Sequence, residues 1–399
     1  MNIFSKIGCR IYQVALRCTI PFLPYREPQK LQNNGDVCSL LSQKGIRSVL
    51  LVTDANIVNL GLPLPLMESL KEAGISVSLY SGVQPNPTSD NVEEAYAKYK
   101  EGKCEAIIAF GGGSPMDCGK ALGIRINYPN TPLIKFKGIL KVRKKLPLLI
   151  AVPTTAGTGS ETTLAAVICD SSTHLKFAIN DFPLIPAYAL LDPHLLTGLP
   201  QMLTASTGMD AITHAVEAYI GRSSTKKTRT YALKAIENAF AYLPLSVKEP
   251  TNFEARGKML EASYFAGMAF TVSYVGYVHA LAHALGGKYG VPHGLANAIL
   301  LPHVLKAYGK SAEKKLARLA LAARLCDEET DRSEAASLFI RRIEEMNEEF
   351  GIPRFVEALK EEDIEELART AAKEGNPLYP VPKLFTAKEL EAIYREVLK

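Results

Sequence analysis

The chain has 399 residues, 47% of them hydrophobic and 22% charged, with a net charge of +5. That composition is ordinary for a globular protein with room for two or three domains, and it excludes a disordered or fibrous chain. The mild charge implies no obligate acidic partner, and no apolar run reaches the ~18–20 residues of a membrane span.

The first residues, MNIFSKIGCRIYQVALRC, carry Lys6, Arg10 and Arg17 and no acid before Glu27. Ile3, Ile7, Ile11 and Val14 fall at helical spacing. Basic residues interrupt this segment too often for a signal-peptide core. We read residues 1–30 as a short amphipathic helix packed on the domain, over a transit peptide or membrane-surface helix.

The chain then alternates. SVLLVTD (48–54) is a compact apolar run, followed by a helical pattern through Leu70. ISVSLY (75–80) predicts a strand, PNPT (85–88) a loop and VEEAYAKYK (92–100) a helix. EAIIAF (105–110) and PLLIAVP (147–153) are buried strands, each running into a Gly-rich turn. Strands alternating with helices predict an α/β domain with a parallel sheet over residues 31–200. Between those two strands, KFKGILKVRKKL holds six basic residues from Lys135 to Lys145. With one aromatic, it reads as a solvated hairpin or loop, so no nucleic-acid partner is expected. From residue 201 to 399 the patterns are helical, which predicts an all-α domain. Seven scattered cysteines with no CxxC pair argue for a reducing, cytoplasmic setting.

The first turn, GGGSPMD, brings Gly111, Gly112 and Gly113 to a helix start, where bare backbone lets a ligand approach. Ser114 fits its N-cap, Pro115 its first turn, and Asp117 the far end of a capping box. A helix N-terminus binds anions, so this is a pyrophosphate cradle. The second turn, TTAGTGSE, interleaves the hydroxyls of Thr154, Thr155, Thr158 and Ser160 with glycines, which suits phosphate or ribose. Asp54 closes an earlier strand, where it either accepts from ribose hydroxyls or caps a helix. The first role would repel a 2′-phosphate and favour NAD over NADP. Lys176, in HLKFAI, is in reach of a ribose or phosphate.

Four of the seven histidines lie between His279 and His303. His279 and His283 are four apart on a helical pattern, as are Asp210 and His214 in GMDAITHAVEAY. Such pairs share a helix face and offer two metal ligands. Glu217, three beyond His214, is positioned to orient that histidine. With His293 in VPHG there are five candidates for a four-ligand site, and spacing leaves either His279 or His283 as the surplus. His303 reads as structural; His174 and His194 have no supporting pattern. A thiolate-free N/O set suits Fe(II), Zn, Mn or Co acting as a Lewis acid.

Together GGGSPMD (111–117), PTTAGTGSE (153–161), GMDAITHAVEAY (208–219) and GYVHALAHALGGKYGVPHGLANAILLPH (276–303) resemble the iron-containing (group III) alcohol dehydrogenase family. PNPT (85–88) and NPLYPVPK (376–383) add to the resemblance, which covers the chain from about residue 25 onward. It implies a dehydroquinate synthase-like fold: a Rossmann-like domain and a helical domain. The activity implied is interconversion of a small primary alcohol and an aldehyde with NAD(H), in a homodimer or higher oligomer. Carried over by motif, the ligands of Fe(II), with Zn tolerated by the same set, are Asp210, His214, His279 and His293. His283 becomes the proton-handling residue near substrate. Asp54, Asn86, Gly111 to Ser114, Asp117, Thr154, Thr155, Thr158, Ser160 and Lys176 line the NAD groove, and Phe270 a pocket wall. Gly119 is a minor departure from the family pattern, whereas Ala284 and Lys288, the latter expected near the pocket mouth, bear on substrate preference. The alternative reading on the same fold is a metal- and NAD-dependent lyase of the dehydroquinate synthase type.

Overall fold

The computed structural model describes residues 3–173 and 175–399; His174 lies outside them. Contacts divide the chain into two compact units, Pro24–Leu196 and the remainder, which joins the N-terminal segment to Thr197–Lys399.

The first unit is built on nine strands among the described residues. These are β1 (Gln29–Leu31), β2 (Ser48–Val52), β3 (Ser76–Tyr80), β4 (Ala106–Gly111), β5 (Gly138–Ile139), β6 (Leu148–Pro153), β7 (Ala165–Cys169), β8 (Lys176–Asn180) and β9 (Tyr188–Leu190). Of these, β2, β4 and β6 are almost uninterrupted apolar runs; every residue of β4 is buried, as are five of six in β6. Such runs fit a parallel sheet covered on both faces. The sheet is all-parallel, in the order β1-β9-β6-β4-β2-β3. One face packs Leu50, Val52, Ile107 and Ala109 in a core with Val92, Ala95 and Met116; the other packs Val49, Leu51, Ile108 and Phe110 with Val37, Leu41 and Leu70. Gly111 pairs with Pro153, so the turns that leave β4 and β6 emerge side by side. A small second sheet runs β5-β8-β7.

Helices cover these faces. They are numbered after the N-terminal α1 (Ile3–Thr19): α2 (Asn34–Gln43), α3 (Ala55–Asn59), α4 (Leu64–Glu72), α5 (Ser89–Glu101) and α6 (Gly113–Asn127). The helical pattern expected from Asp54 to Leu70 is two helices, because Gly61 takes φ +69° and Pro63 follows it. The basic run around Lys135–Lys145 is a loop that opens on a 3₁₀ turn (Leu133–Phe136) and carries one short strand. Phe136 and Val142 anchor it, and its six cationic side chains are exposed.

The second unit holds α7 (Gln201–Ile220), α8 (Lys226–Lys248), α9 (Phe253–Ser273), α10 (Tyr277–Tyr289), α11 (His293–Tyr308), α12 (Lys310–Ala322), α13 (Arg332–Glu349), α14 (Ile364–Gly375) and α15 (Ala387–Glu396). It contains no strand among the described residues. Helix α7 is buried nearly all round, which is why the pattern 208–219 is apolar between its polar positions. Among the described residues, no single helix is long and apolar enough to cross a membrane.

Helix α1 forms where expected and packs on this unit, but by a different face. Ile7, Ile11 and Val14 stay 51–64% exposed, while Cys9 and Gln13 are buried. Gln13 Nε2 donates to the carbonyls of Tyr379 (2.7 Å) and Pro377 (3.3 Å), and Arg10 to those of Val381 (2.8 Å) and Pro382 (3.0 Å). The segment 377–382 presents carbonyls that need donors, so polar groups, not the isoleucine row, decide which side faces inward.

Candidate active site

Two arrangements emerge, one in each unit. In the α/β unit, α6 starts two residues earlier than the sequence suggests. Its N-cap is Gly112, and no side chain caps it, so the expected Ser114–Asp117 capping box is absent. Gly111 has φ +149°, and a Cβ there would lie 2.5 Å from Pro115 Cγ; only glycine makes this bend. The faces of Gly112 and Gly113 look toward Thr155 and Thr158, whose side chains would stand 3.5 and 3.4 Å from an added Cβ. Thr154 N donates to Gly111 O at 3.1 Å, tying the turns together. The glycines, Ser114 and the hydroxyls of Thr154, Thr155, Thr158 and Ser160 thus belong to one pair of adjacent turns. A helix N-terminus beside such hydroxyls is chemistry for an anion.

Asp117 lies beneath this surface and accepts from Ser160 Oγ (3.1 Å) and Val167 N (3.0 Å). Burial raises its pKa. It bonds the second turn to α6 where a capping role was expected. Sequence reading missed its neighbours Lys120 and Glu161. Lys120, fully buried, donates to Ser160 Oγ (2.9 Å), Thr163 Oγ1 (2.8 Å) and Ala165 O (2.8 Å). Burial lowers it to about 8, opposed by Asp117 and Glu161. Glu161 is buried with Oε1 unpaired, and burial raises it to about 7 against its backbone hydrogen bond and Lys120. The one sequence signal was a charged residue on the apolar stretch MDCGKALG. Asp54 caps α3, accepting from Ile57 N at 3.1 Å, which is the plainer of its two sequence readings. Asn86, at φ +59°, accepts from Lys176 Nζ at 2.6 Å.

In the helical unit, Asp210 and His214 come from successive turns of α7, His279 from α10, and His293 opens α11. Each offers one ligand atom, and these atoms all lie within 4.8 Å of one another. Asp210, His214 and His279 are buried and His293 is part-exposed. Three imidazoles and one carboxylate with no thiolate form a donor set for a divalent transition metal.

Glu217 serves a different histidine from the one expected. Its carboxylate accepts from His279 Nδ1 (2.6 Å), not from His214, and also from the backbone N–H groups of Gly276 (2.7 Å) and Val278 (2.8 Å). The start of α10 lands on Glu217, and a Cβ at Gly276 would lie 2.7 Å from its Oε1. The bond at Nδ1 turns His279 Nε2 toward the cluster. Burial, then the neighbouring imidazoles, drive His279 well below its usual pKa, so it is neutral, as ligation requires. Burial pushes Glu217 up to about 7, opposed by its backbone donors.

His214 stacks on Phe270, ring centroids 4.1 Å apart. His283, one turn beyond His279 and partly exposed, stays outside the ligand cluster. Its Nδ1 is 2.6 Å from Glu374 Oε1, and its ring centroid is 5.2 Å from that of His293. Burial acts to raise Glu374, but the His283 imidazole and the hydrogen bonds it receives hold it below its ordinary range. Lys288, expected near the pocket mouth, is taken up by Asp363 (2.7 Å) and Glu366 (2.6 Å). His303 bonds Glu396, and His194 bonds Asp192. Three more residues were missed. Asn297 donates to Asp210 Oδ1 at 2.7 Å, a role its place four after His293 could have signalled. Glu374 gave no sequence signal, and Tyr379 only its place in NPLYPVPK, which carried part of the resemblance.

The sequence matches the model of iron-containing alcohol dehydrogenases over residues 27–193 and that of the family's C-terminal domain over 204–398. The chain belongs to the iron-containing alcohol dehydrogenase family. It is 38% identical to 1,3-propanediol dehydrogenase of Citrobacter freundii, over 94% of this chain and 97% of that one. It is 36% identical to the NAD-dependent methanol dehydrogenase of Bacillus methanolicus, over 91% and 95%. A solved 1,3-propanediol oxidoreductase superposes with a TM-score of 0.90 at 37% identity, over 94% and 99%. As an iron-containing alcohol dehydrogenase, the protein is an oxidoreductase of small alcohols and aldehydes. Helix α1 precedes both matched segments.

Proposed function

We propose that the protein interconverts a small primary alcohol and its aldehyde using NAD(H), with Fe(II) held by Asp210, His214, His279 and His293. The four-donor cluster, three of whose members are buried, carries this reading. An ion held there would supply Lewis acidity, and a bound nicotinamide would supply the redox chemistry. The chain's own residues supply the rest. Glu217 orients His279, and Asn297 holds Asp210. The N–H groups opening α6 and the threonine hydroxyls of the second turn bind the pyrophosphate, while Ser160, bonded to Lys120 and Asp117, keeps that turn in place. Asp54 retains a carboxylate oxygen for ribose hydroxyls and disfavours a 2′-phosphate. Asn86 and Lys176 flank the same groove, Phe270 walls the substrate side, and His283 moves the proton of the alcohol. Seven free cysteines suit a cytoplasmic enzyme, and the family points to a homodimer or larger assembly. The lyase alternative calls for a basic pocket, and Lys288 is already neutralised by two carboxylates.

The test is an anaerobic panel of C2–C4 aldehydes with NADH and NADPH, on iron- and zinc-loaded protein. Turnover with NADH is expected, faster with iron. A tenfold preference for NADPH would refute the role given to Asp54. Absence of turnover with every aldehyde and alcohol would refute the function.

A further inference from the structure

One carboxylate stands in contact with the proton-handling histidine. It comes from α14, whose sequence gave no sign of a site. Glu374 Oε1 lies 2.6 Å from His283 Nδ1 and accepts from Tyr379 Oη at 2.6 Å. Tyr379 is buried. Its backbone carbonyl accepts from Gln13 of α1, and Arg10 holds the carbonyls of Val381 and Pro382 just beyond. Contacts therefore run from α1 through the segment 377–382 to Tyr379, Glu374 and His283.

We propose that Glu374 is a positioning residue for His283, fixing its tautomer and ring angle, and that Tyr379 holds the Glu374 carboxylate in place. The proposal rests on the proton role given to His283 above. A carboxylate accepting from Nδ1–H leaves the proton exchange to Nε2. Without that acceptor, the ring of a partly exposed histidine rotates and exchanges tautomers, and both motions cost proton transfer its geometry. A plain surface ion pair would contribute little to stability and nothing to catalysis. Here one carboxylate oxygen takes both donors, so its position is set from two sides.

Geometry more than charge does this work, which separates the variants. Glu374→Gln keeps an oxygen at the same reach and retains kcat within about threefold. Glu374→Ala and Glu374→Asp, the latter one methylene short, lower kcat about ten- to a hundredfold. KM for NADH and bound metal per chain stay at wild-type values. Adding either change to His283→Ala costs nothing further, because Glu374 acts through that ring. Imidazole ¹⁵N NMR of the zinc-loaded protein reads the same point without turnover: His283 is the Nδ1–H tautomer in wild type and in Glu374→Gln, and mixed in Glu374→Ala and Glu374→Asp. Equal kcat in all variants, a further loss in the His283→Ala background, loss of metal, or an unchanged tautomer overturns the proposal. If the wild type turns over no alcohol, the proposed function falls, and the tautomer measurement still decides the role of Glu374.

Discussion

Replacing Gly294 with alanine drives a methyl group into the backbone of a neighbouring helix. Gly294 sits on α11 directly after His293, against α7. A Cβ built there lies 2.5 Å from the carbonyl oxygen of Ser206, 3.0 Å from its carbonyl carbon and 3.3 Å from Asp210 Cβ. Ordinary contact begins near 3.4 Å, so the two helices must part by about 0.9 Å. Neither the oxygen nor the carbon belongs to a side chain that can swing away. The displacement falls between His293 and Asp210, whose Nε2 and Oδ1 are 3.5 Å apart. Metal–ligand distances tolerate only ~0.2 Å. Displacements of this kind weaken metal binding about ten- to a hundredfold, as loss of a supporting hydrogen bond does. Metal retained per chain after dialysis against a graded chelator series should fall by that factor, and kcat should fall with it. Gly287→Ala on α10 is the control: nothing lies within 4 Å of its added Cβ, and the substitution should raise helix stability by up to about 1 kcal/mol. If Gly294→Ala holds metal against chelator as firmly as the wild type, the steric reasoning is wrong.

His279→Ala should lose tightly bound metal, whereas His283→Ala should keep it and lose kcat; equal metal loss in both would show that the two roles are misassigned. For Glu161, a folded pKa of about 7 stands above the ordinary 4.5, so the folded chain keeps a proton that the unfolded chain gives up. Its burial therefore erodes stability as pH rises from about 4.5 to 7, and the erosion levels off above that. Glu161→Gln removes the ionisation, so its Tm relative to wild type should climb across this window; a Tm difference independent of pH from 5 to 8 would contradict the reasoning.

The fold class was legible because β2, β4 and β6 are nearly uninterrupted apolar runs that leave a doubly covered parallel sheet as the natural solution. The grouping of Asp210 with His214 was legible because helical spacing puts i and i+4 on one face. Contacts made between elements were not. Glu217 lies three residues from His214 and bonds His279, because the start of α10 packs there. Lys120 is buried only because Ser160, Thr163 and Ala165 converge on it. Glu374 is 91 residues from His283 in sequence, and no local pattern links them. On α1 the periodicity found the helix but not its inward face, since carbonyls of a distant loop select Gln13 and Arg10 over the isoleucines.

The four donor groups are shared among α7, α10 and α11, and no two of these helices hold more than three of them. Complete coordination is thus available only to a chain in which all three are docked. An ion arriving early meets a partial site and leaves easily; one arriving late is kept. Resistance to a chelator then serves as a certificate of assembly, separating finished molecules in a fresh preparation from those in which α11 has yet to close.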